Sequence, residues 1–346
     1  MFDKLFNRFK KDLGIDLGTA NTLVYVKGRG IVVNEPSVVS INTRTEQILA
    51  VGHIAKDMLG KTPPHIITSK PLTNGVISDF EVTEKMMRYF FDKVFDGSSN
   101  FITRPRVVIG APLQITEVER KAIHDAAVNA GAKEVWIIEE PMAAAIGCRM
   151  PVRDPVGNFI VEIGGGTCEI AVISLSGIVL WKSIPIAGDE FNRNIIQYAR
   201  EVFNLLLGEK QAEEIKIKIG SAVELNEGMQ FPMRGRDLVS GLPKEIMISD
   251  SQVREALSSS LKIIVDNIRE TLEHTPPELV ADIHERGILV SGGGALLRGI
   301  EQLIYRSTEI PVRIADDPLT SVVRGTGILL DDLELLKEVA VKPEEK

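Results

Sequence analysis

A stretch at residues 13–26, LGIDLGTANTLVYV, is echoed by a second at 159–173, FIVEIGGGTCEIAVI. Each reads as a β-strand with an acid near its end, a turn of small residues containing a threonine, and a second β-prone run. Asp16 stands in the first where Glu162 stands in the second, and Gly18-Thr19-Ala20-Asn21 corresponds to Gly164-Gly165-Gly166-Thr167. Either unit alone is compatible with a plain hairpin. Their recurrence constrains more, because a chain that repeats one supersecondary unit in each half builds two similar lobes with a cleft between them.

Small residues at a hairpin tip leave successive backbone N–H groups and a hydroxyl open to an anion, so a phosphate can be held there without a bulky cation. Asp16 and Glu162 cannot bind phosphate directly. They can hold a hydrated Mg²⁺, which keeps several waters and takes one or two carboxylates. Two such hairpins facing each other would clamp a polyphosphate. A third glycine turn, Gly292-Gly293-Gly294, follows an apolar run at 288–290. It fails as a dinucleotide fingerprint because Leu297 occupies a position reserved for a small residue, and as a Walker loop because Ile300 and Glu301 follow where Lys and Ser/Thr belong. What remains is a turn that opens a helix from Ala295, letting a flat adenosine lie on bare backbone with its phosphates near the helix N-terminus. A helix entry that merely needs small residues is the alternative.

The chain has 346 residues, 44% hydrophobic and 25% charged, enough for two domains of ordinary size. A net charge of -8 argues against general nucleic-acid binding. Cys148 and Cys168, the two cysteines, imply no disulfide framework, and a reduced, cytoplasmic setting is the expectation. No apolar run approaches the ~20 residues of a transmembrane helix. The first twelve residues, MFDKLFNRFKKD, put Phe2, Leu5, Phe6 and Phe9 at helical spacing with basic residues beside them. This is a short helix packed on its own domain or an in-plane membrane anchor. Apolar side chains worth ~1.5–3 kcal/mol each when fully buried and bases worth about 1 each near an anionic leaflet are offset by the ordering of so short a helix. One copy binds weakly and an array binds firmly. Phe101 and Ile102, in a polar loop, are a second membrane contact or a pair tucked into the core.

Along the chain, short strands are expected at 31–33, 37–41 and 47–51, and irregular chain at 56–74 where Pro63, Pro64 and Pro71 intervene. A helix is expected from Thr83 to Gly97, and strands at 107–109 and 135–138. Thr116 and Glu119 form a capping box that starts a helix running to Gly131. Pro141 opens a small-residue helix closed by Gly147. The second half repeats the order: strands at Phe159, Cys168 and Gly177, then a helix begun near Asp189 with Ile195, Ile196, Ala199, Val202 and Phe203 facing inward. A helix at 209–219 follows, then short strands, and Ser249 with Gln252 caps a long helix reaching His274. The order is that of an α/β fold.

In this order and spacing IDLGTANT, IEEPMAAAIG, IGGGT, IAGDEF and SGGGALLRG, with VERKAI, PPELVADI and DPLT, closely resemble the MreB family of bacterial actin-like rod shape-determining proteins over nearly the whole chain. The resemblance implies the actin-like, duplicated ribonuclease H-like two-lobed ATPase fold with four subdomains. It divides the chain into a membrane-binding segment 1–12, a lobe I core of 13–33, 75–147 and 322–340 with a small subdomain 34–74, a lobe II core of 148–187 and 249–321 with a small subdomain 188–248, and a tail 341–346. ATP is implied between the lobes with Mg²⁺ near Asp16 and Glu162. Thr19, Ala20 and Asn21 correspond to one phosphate turn, Gly164, Gly165, Gly166 and Thr167 to the other, and Gly188 and Asp189 to the segment beside nucleotide and metal. Glu213, Glu214, Ile215 and Lys216 correspond to the ribose and adenine contacts, and Gly292, Gly293, Gly294, Ala295 and Leu296 to the adenosine turn. Glu140 corresponds to the residue that orients the attacking water, assisted by Thr167. Without the family, Glu140 reads equally as an acid favoured at a helix start.

The same resemblance implies antiparallel double filaments on the inner face of the cytoplasmic membrane, Val118 on the face that pairs protofilaments, slow hydrolysis, and partners in the cell-wall elongation machinery including MreC, MreD and RodZ. Three positions depart from the family pattern: Glu162 for Asp, Cys168 for Thr and Asn192 for Asp. The first bears on the hydrolysis rate and keeps open a nucleotide-binding scaffold with little turnover. A monomeric chaperone or sugar-kinase ATPase is the other reading on this fold.

Overall fold

The computed structural model describes residues 12–95 and 104–341, so the six membrane-contact candidates Phe2, Leu5, Phe6, Phe9, Phe101 and Ile102 lie outside the described residues. Both repeated units form antiparallel hairpins: Leu13–Leu17 on Asn21–Val26, with Asp16 opposite Leu23, and Asn158–Ile163 on Cys168–Ser174, with Glu162 opposite Glu169. Each hairpin gains a third antiparallel strand, Gly30–Pro36 in one sheet and Gly177–Ile184 in the other. On the opposite edge each gains two parallel strands. These are Arg106–Ala111 and Glu134–Glu139 in the first sheet, Ile288–Ser291 and Val312–Ile314 in the second. The two sheets thus share one strand order, and the duplication read from the hairpins extends to the topology of both halves.

Strand alternation decides what faces what. In Asn158–Ile163 the side chains of Phe159, Val161 and Ile163 enter the second lobe's outer core with Phe191, Ile195 and Leu257, while Ile160 enters a separate core between the two sheets. Leu13, Ile15 and Leu17 likewise join Met86, Phe90 and Ile123 in the first lobe's outer core. Asp16, Glu162 and Glu169, at the intervening positions, therefore share the face turned toward the other lobe. Two helices fill that middle layer. Glu140–Gly147 and Ser321–Leu329 cross so closely that a Cβ on Gly147 would lie 2.0 Å from the Ser321 carbonyl oxygen and one on Gly325 would lie 1.8 Å from that of Ala143.

Smaller antiparallel sheets stand over each lobe: Val39–Asn42 between Ile48–Val51 and Ile66–Ser69, and Gln230–Asp237 between Leu205–Leu206 and Pro243–Ser249. Both capping boxes form as read, Thr116 with Glu119 at the helix Glu117–Ala130 and Ser249 with Gln252 at Asp250–His274. Other expectations need correction. The helix Phe80–Val94 begins before Thr83, because the Asp79 carboxylate accepts from Val82 N and supplies a cap that the apolar pattern does not reveal. The stretch 56–74 is not irregular throughout: the helix His53–Met58 ends within it and Ile66–Ser69 is a strand, the prolines falling between elements. Asn34, Glu35 and Pro36 continue the strand Gly30–Pro36 rather than breaking it. Val202 is exposed, since Phe203, four residues after Ala199, takes the last inward place of the helix Gly188–Phe203.

The glycine turn at 292–294 also differs from expectation. It leads into a single 3₁₀ turn, Gly293–Leu296, and the α-helix Ile300–Thr308 starts only after Gly299, whose φ of 74° suits no bulky residue.

Because the Gly325 and Ala143 backbones touch, Gly325→Ala overpacks the helix crossing and should cost about 1–3 kcal/mol. The measurement is the thermal unfolding midpoint, which falls; an unchanged midpoint would show that the crossing yields freely.

Candidate functional site

A cavity of about 450 Å³ opens between the lobes, lined on one side by Asp16, Gly18, Thr19, Ala20 and Asn21 and on the other by Glu162, Gly164, Gly165, Gly166 and Thr167. The two hairpin tips meet there. A Cβ on Gly165 would lie 2.6 Å from the Ala20 Cβ, and one on Gly166 would lie 2.6 Å from the Thr19 hydroxyl oxygen. Each tip is braced from outside the hairpin: the Ser37 hydroxyl donates to the Gly18 carbonyl at 2.6 Å, and Gly75 N donates to the Thr19 hydroxyl oxygen at 2.7 Å. In the second tip the Gly164 and Gly165 carbonyls accept from the N–H groups of Gly188 and Asp189 at 3.1 and 2.8 Å, which brings the start of the helix Gly188–Phe203 to the wall.

The rest of the wall comes from Glu213 and Lys216 on the helix Glu209–Ile219 and from Gly292, Gly293, Gly294 and Leu296. Gly292 has φ 80°, and a Cβ there would lie 2.6 Å from a Glu162 carboxylate oxygen, so the third glycine turn packs directly against the second hairpin's acid. Glu214, Ile215 and Ala295 do not line the cavity. On a helix, positions 213, 216 and 217 share a face. Ile215 therefore points into the second lobe's core, as Ala295 does after its turn, and Glu214 sits outside, accepting from Gln211. Ile217, Pro318, Leu319, Val322 and Gly75 line the cavity without having been singled out. Helical spacing from Glu213 would have found Ile217, and the DPLT motif contains Pro318 and Leu319.

Charge is concentrated on the lobe-facing side of the sheets. Glu140, first residue of its helix, is buried in the wall, and burial together with the charges of Glu169, Glu162 and Asp16 pushes its carboxyl well above the usual range. Burial raises Glu162 likewise, with Glu169 and Asp16 adding to it. Asp16 is pushed up to about 7 by burial. Glu169 reaches about 8, again from burial, although its carboxylate accepts from Leu113 N across the lobes at 2.9 Å and from the Ser183 hydroxyl at 3.2 Å. Lys216, whose ammonium donates to the Gly188 carbonyl at 2.7 Å, is lowered by burial to about 8. Lysines of the 34–74 region that sequence reading passed over reach the same wall, with Lys56 on Glu213 at 2.8 Å and Lys70 on Asp189 at 3.2 Å.

Among the described residues no cluster of three His, Cys, Asp or Glu side chains is arranged to hold a metal outright. Two carboxylates, Asp16 and Glu162, border the glycine turns, and both are held in a state that a positive charge would relieve. That donor set fits a hard cation that keeps most of its own water.

These raised carboxyl groups give the nucleotide-free and metal-free chain an inverted pH dependence. Asp16 and Glu169 hold protons in the folded state up to about 7 and about 8, whereas the unfolded chain releases them near 3.8 and 4.5. Their contribution is complete below those lower values and is lost as pH rises through the upper ones. The thermal midpoint should therefore fall between about pH 5 and about pH 8.5, and Glu169→Gln, which keeps an acceptor for Leu113 N, should flatten the slope. A midpoint rising over that interval would contradict the assignment.

The sequence model of the MreB/Mbl protein family matches residues 10–338. The cell shape-determining protein Mbl of Bacillus cereus is 46% identical over 334 residues, 96% of this chain and 100% of that one. Cell shape-determining protein MreB of Escherichia coli K12 is 48% identical over 340 residues, 97% of each. Among solved structures, MreB5 of Spiroplasma citri bound to ADP superposes with a TM-score of 0.89 at 39% identity, covering 94% of this chain and 98% of that one, and its AMPPNP complex with 0.90 at 40%, covering 94% and 97%. With a family match along almost its entire length and an actin-like, duplicated architecture around the cavity where the hairpin tips meet, this chain belongs to the MreB/Mbl family.

Proposed function

We propose that the chain is an ATP-binding cytoskeletal protein that hydrolyses ATP slowly between its lobes and assembles into membrane-associated antiparallel double filaments directing rod shape and cell-wall elongation. The observation that carries this reading is the meeting of two glycine turns, one from each lobe, on one cavity. It is supported by the adenine nucleotides bound to the S. citri relative and by the cell-shape role named for the B. cereus and E. coli proteins.

In this reading the backbone N–H groups of residues 18–21 and 164–167 hold the phosphates, where bare backbone approaches closely and Thr19 and Thr167 add hydroxyls. Gly292, Gly293 and Gly294 lie under the adenosine, with Glu213 accepting from ribose hydroxyls and Lys216 and Ile217 beside the base. Asp16 and Glu162 hold the metal through water, with Asp189 nearby, and bound Mg²⁺ supplies neutralisation of charge on the β- and γ-phosphates. Glu140 and Thr167 orient the attacking water. Burial and the neighbouring carboxylates raise the Glu140 carboxyl, which suits it to orienting the water by hydrogen bonding rather than to acting as a strong base. The other ionisable groups on the wall are Asp16, Glu162 and Asp189 on the metal side and Glu213 and Lys216 on the adenosine side; none is a strong base placed beside the water, and turnover is accordingly slow.

Family membership supports self-association into filaments, and the proposed role extends to the inner membrane and to partners such as MreC, MreD and RodZ. Val118, 79% exposed near the start of the helix Glu117–Ala130, is available to a second protofilament. Among the described residues no helix is long and apolar enough to cross a membrane, and the amphipathic segment 1–12 is assigned the membrane contact.

Sedimentation with ATP, read together with phosphate release, tests the reading. A pelleting polymer that releases phosphate supports it, no polymer returns the monomeric ATPase, and a polymer without phosphate release returns the scaffold. Glu140→Ala should lower release by about 10²–10⁴-fold while nucleotide affinity stays within a few-fold. Glu162→Asp, which shortens that side chain by one methylene, should raise release; equal or lower release speaks against a rate-limiting role for that side chain. Deleting residues 2–11 should free filaments from anionic liposomes, and undiminished co-sedimentation would remove the anchor.

A further inference from the structure

The two helices that cross between the lobes run from the nucleotide cavity to a second one. Glu140, at the start of one helix, lines the first cavity, and Gly147, at its end, lines the second; on the other helix Val322 faces the first, while Arg324 and Ile328 face the second. This second cavity, about 530 Å³, draws its wall from both lobes and lies within the size range of ligand sites. No residue lines both.

Its chemistry is anion-seeking. Arg149, Arg313 and Arg324 converge on it, in a chain whose net charge is -8. None of the three makes an ion pair among the described residues. Arg324 spends one terminal nitrogen on the Asp316 carbonyl at 2.6 Å, yet its Nε is buried with no acceptor. A buried guanidinium donor left open costs free energy unless something accepts from it. Arg149 follows the helix end with φ 57°, a left-handed conformation that few residues of its kind adopt. Of the two acids on the rim, Asp331 is engaged by Lys27 at 2.9 Å, so Asp316 alone opposes the arginines.

We propose that this cavity binds a carboxylate-bearing segment of a partner polypeptide. Guanidinium forks match carboxylates in paired hydrogen bonds. Asp316 on the rim repels phosphate dianions and polyanions more than a singly charged carboxylate, which selects a Glu or Asp side chain. Tyr25, Ile314 and Ile328 give the remaining wall an apolar surface suited to an aromatic or aliphatic neighbour of that acid. Occupancy is transmitted to the nucleotide cavity because the crossed helices touch backbone to backbone at Gly147 and Gly325 and cannot shift singly. Such coupling is reciprocal.

The test uses the full chain and a fluorescein-labelled six-residue peptide in which two glutamates alternate with leucine and phenylalanine, with a glutamine-for-glutamate twin as control, followed by anisotropy. The glutamate peptide should bind, the twin about tenfold or more weaker. The double variant Arg149→Gln with Arg313→Gln, both exposed positions, should lose about tenfold with its thermal midpoint unchanged, and Arg324→Gln should behave alike. Saturating peptide should change the affinity for fluorescent ADP, and ADP should change the peptide affinity by the same factor. The assignment is overturned if the glutamate peptide does not bind, if the twin or the double variant binds as well, or if ADP and peptide ignore each other. Displacement by inorganic phosphate as effective as by free glutamate would make it a small-anion site. Loss of self-pelleting in the double variant would make the occupant a second copy.

Discussion

Where the tips of the two hairpins meet there is no room for a side chain, and the rest of the molecule is arranged around that contact. A Cβ at Gly165 or Gly166 would overlap the Ala20 methyl or the Thr19 hydroxyl, so the lobes approach only because the second tip is bare backbone where it meets those small side chains. That approach does two things at once. It turns N–H groups from both lobes onto a single cavity, and it makes the spacing of the lobes depend on whatever lies between the tips. In the proposed function a polyphosphate held there would touch both halves of the chain.

The acids behind the tips follow from the same geometry. Alternation along Leu13–Leu17, Asn158–Ile163 and Cys168–Ser174 sends Asp16, Glu162 and Glu169 to the interlobe side, and the helix beginning at Glu140 adds a fourth carboxyl. Burying several carboxylates together is unfavourable unless protons or a cation compensate. Here the strain is held as raised pKa values, which readies the wall for positive charge. Glu169 also ties the lobes directly through Leu113 N. The outer ties are weaker: Lys56 to Glu213 and Lys70 to Asp189 join the small subdomains through partly exposed pairs, each worth no more than about 1 kcal/mol, and Lys210 to Asp57 does so at the exposed surface.

Much of this was legible in the residues because the signals are local. A Thr or Ser three positions before Glu or Gln states where a helix starts, and both capping boxes formed as read. Glycine turns flanked by β-branched runs state where a hairpin bends. Legibility ended where a local pattern had two structural solutions. The turn at 292–294 read as a helix entry, but glycines serve a 3₁₀ turn equally well. Of four consecutive candidates, Glu213, Glu214, Ile215 and Lys216, the first and last share a helical face and line the cavity, while the neighbouring core takes Ile215 inward.

By itself the sequence determined the repeated hairpins, the residues able to approach a phosphate and the family to which they belong, since each is written in short-range spacing. Tertiary structure alone decided that Gly165 touches Ala20, which face of a uniformly buried strand such as Asn158–Ile163 turns to the other lobe, and that Lys56 and Lys70 reach across to Glu213 and Asp189. Those facts join residues more than a hundred positions apart. No periodicity records them, because packing of whole sheets and helices, rather than hydrogen bonding between near neighbours, sets the distance.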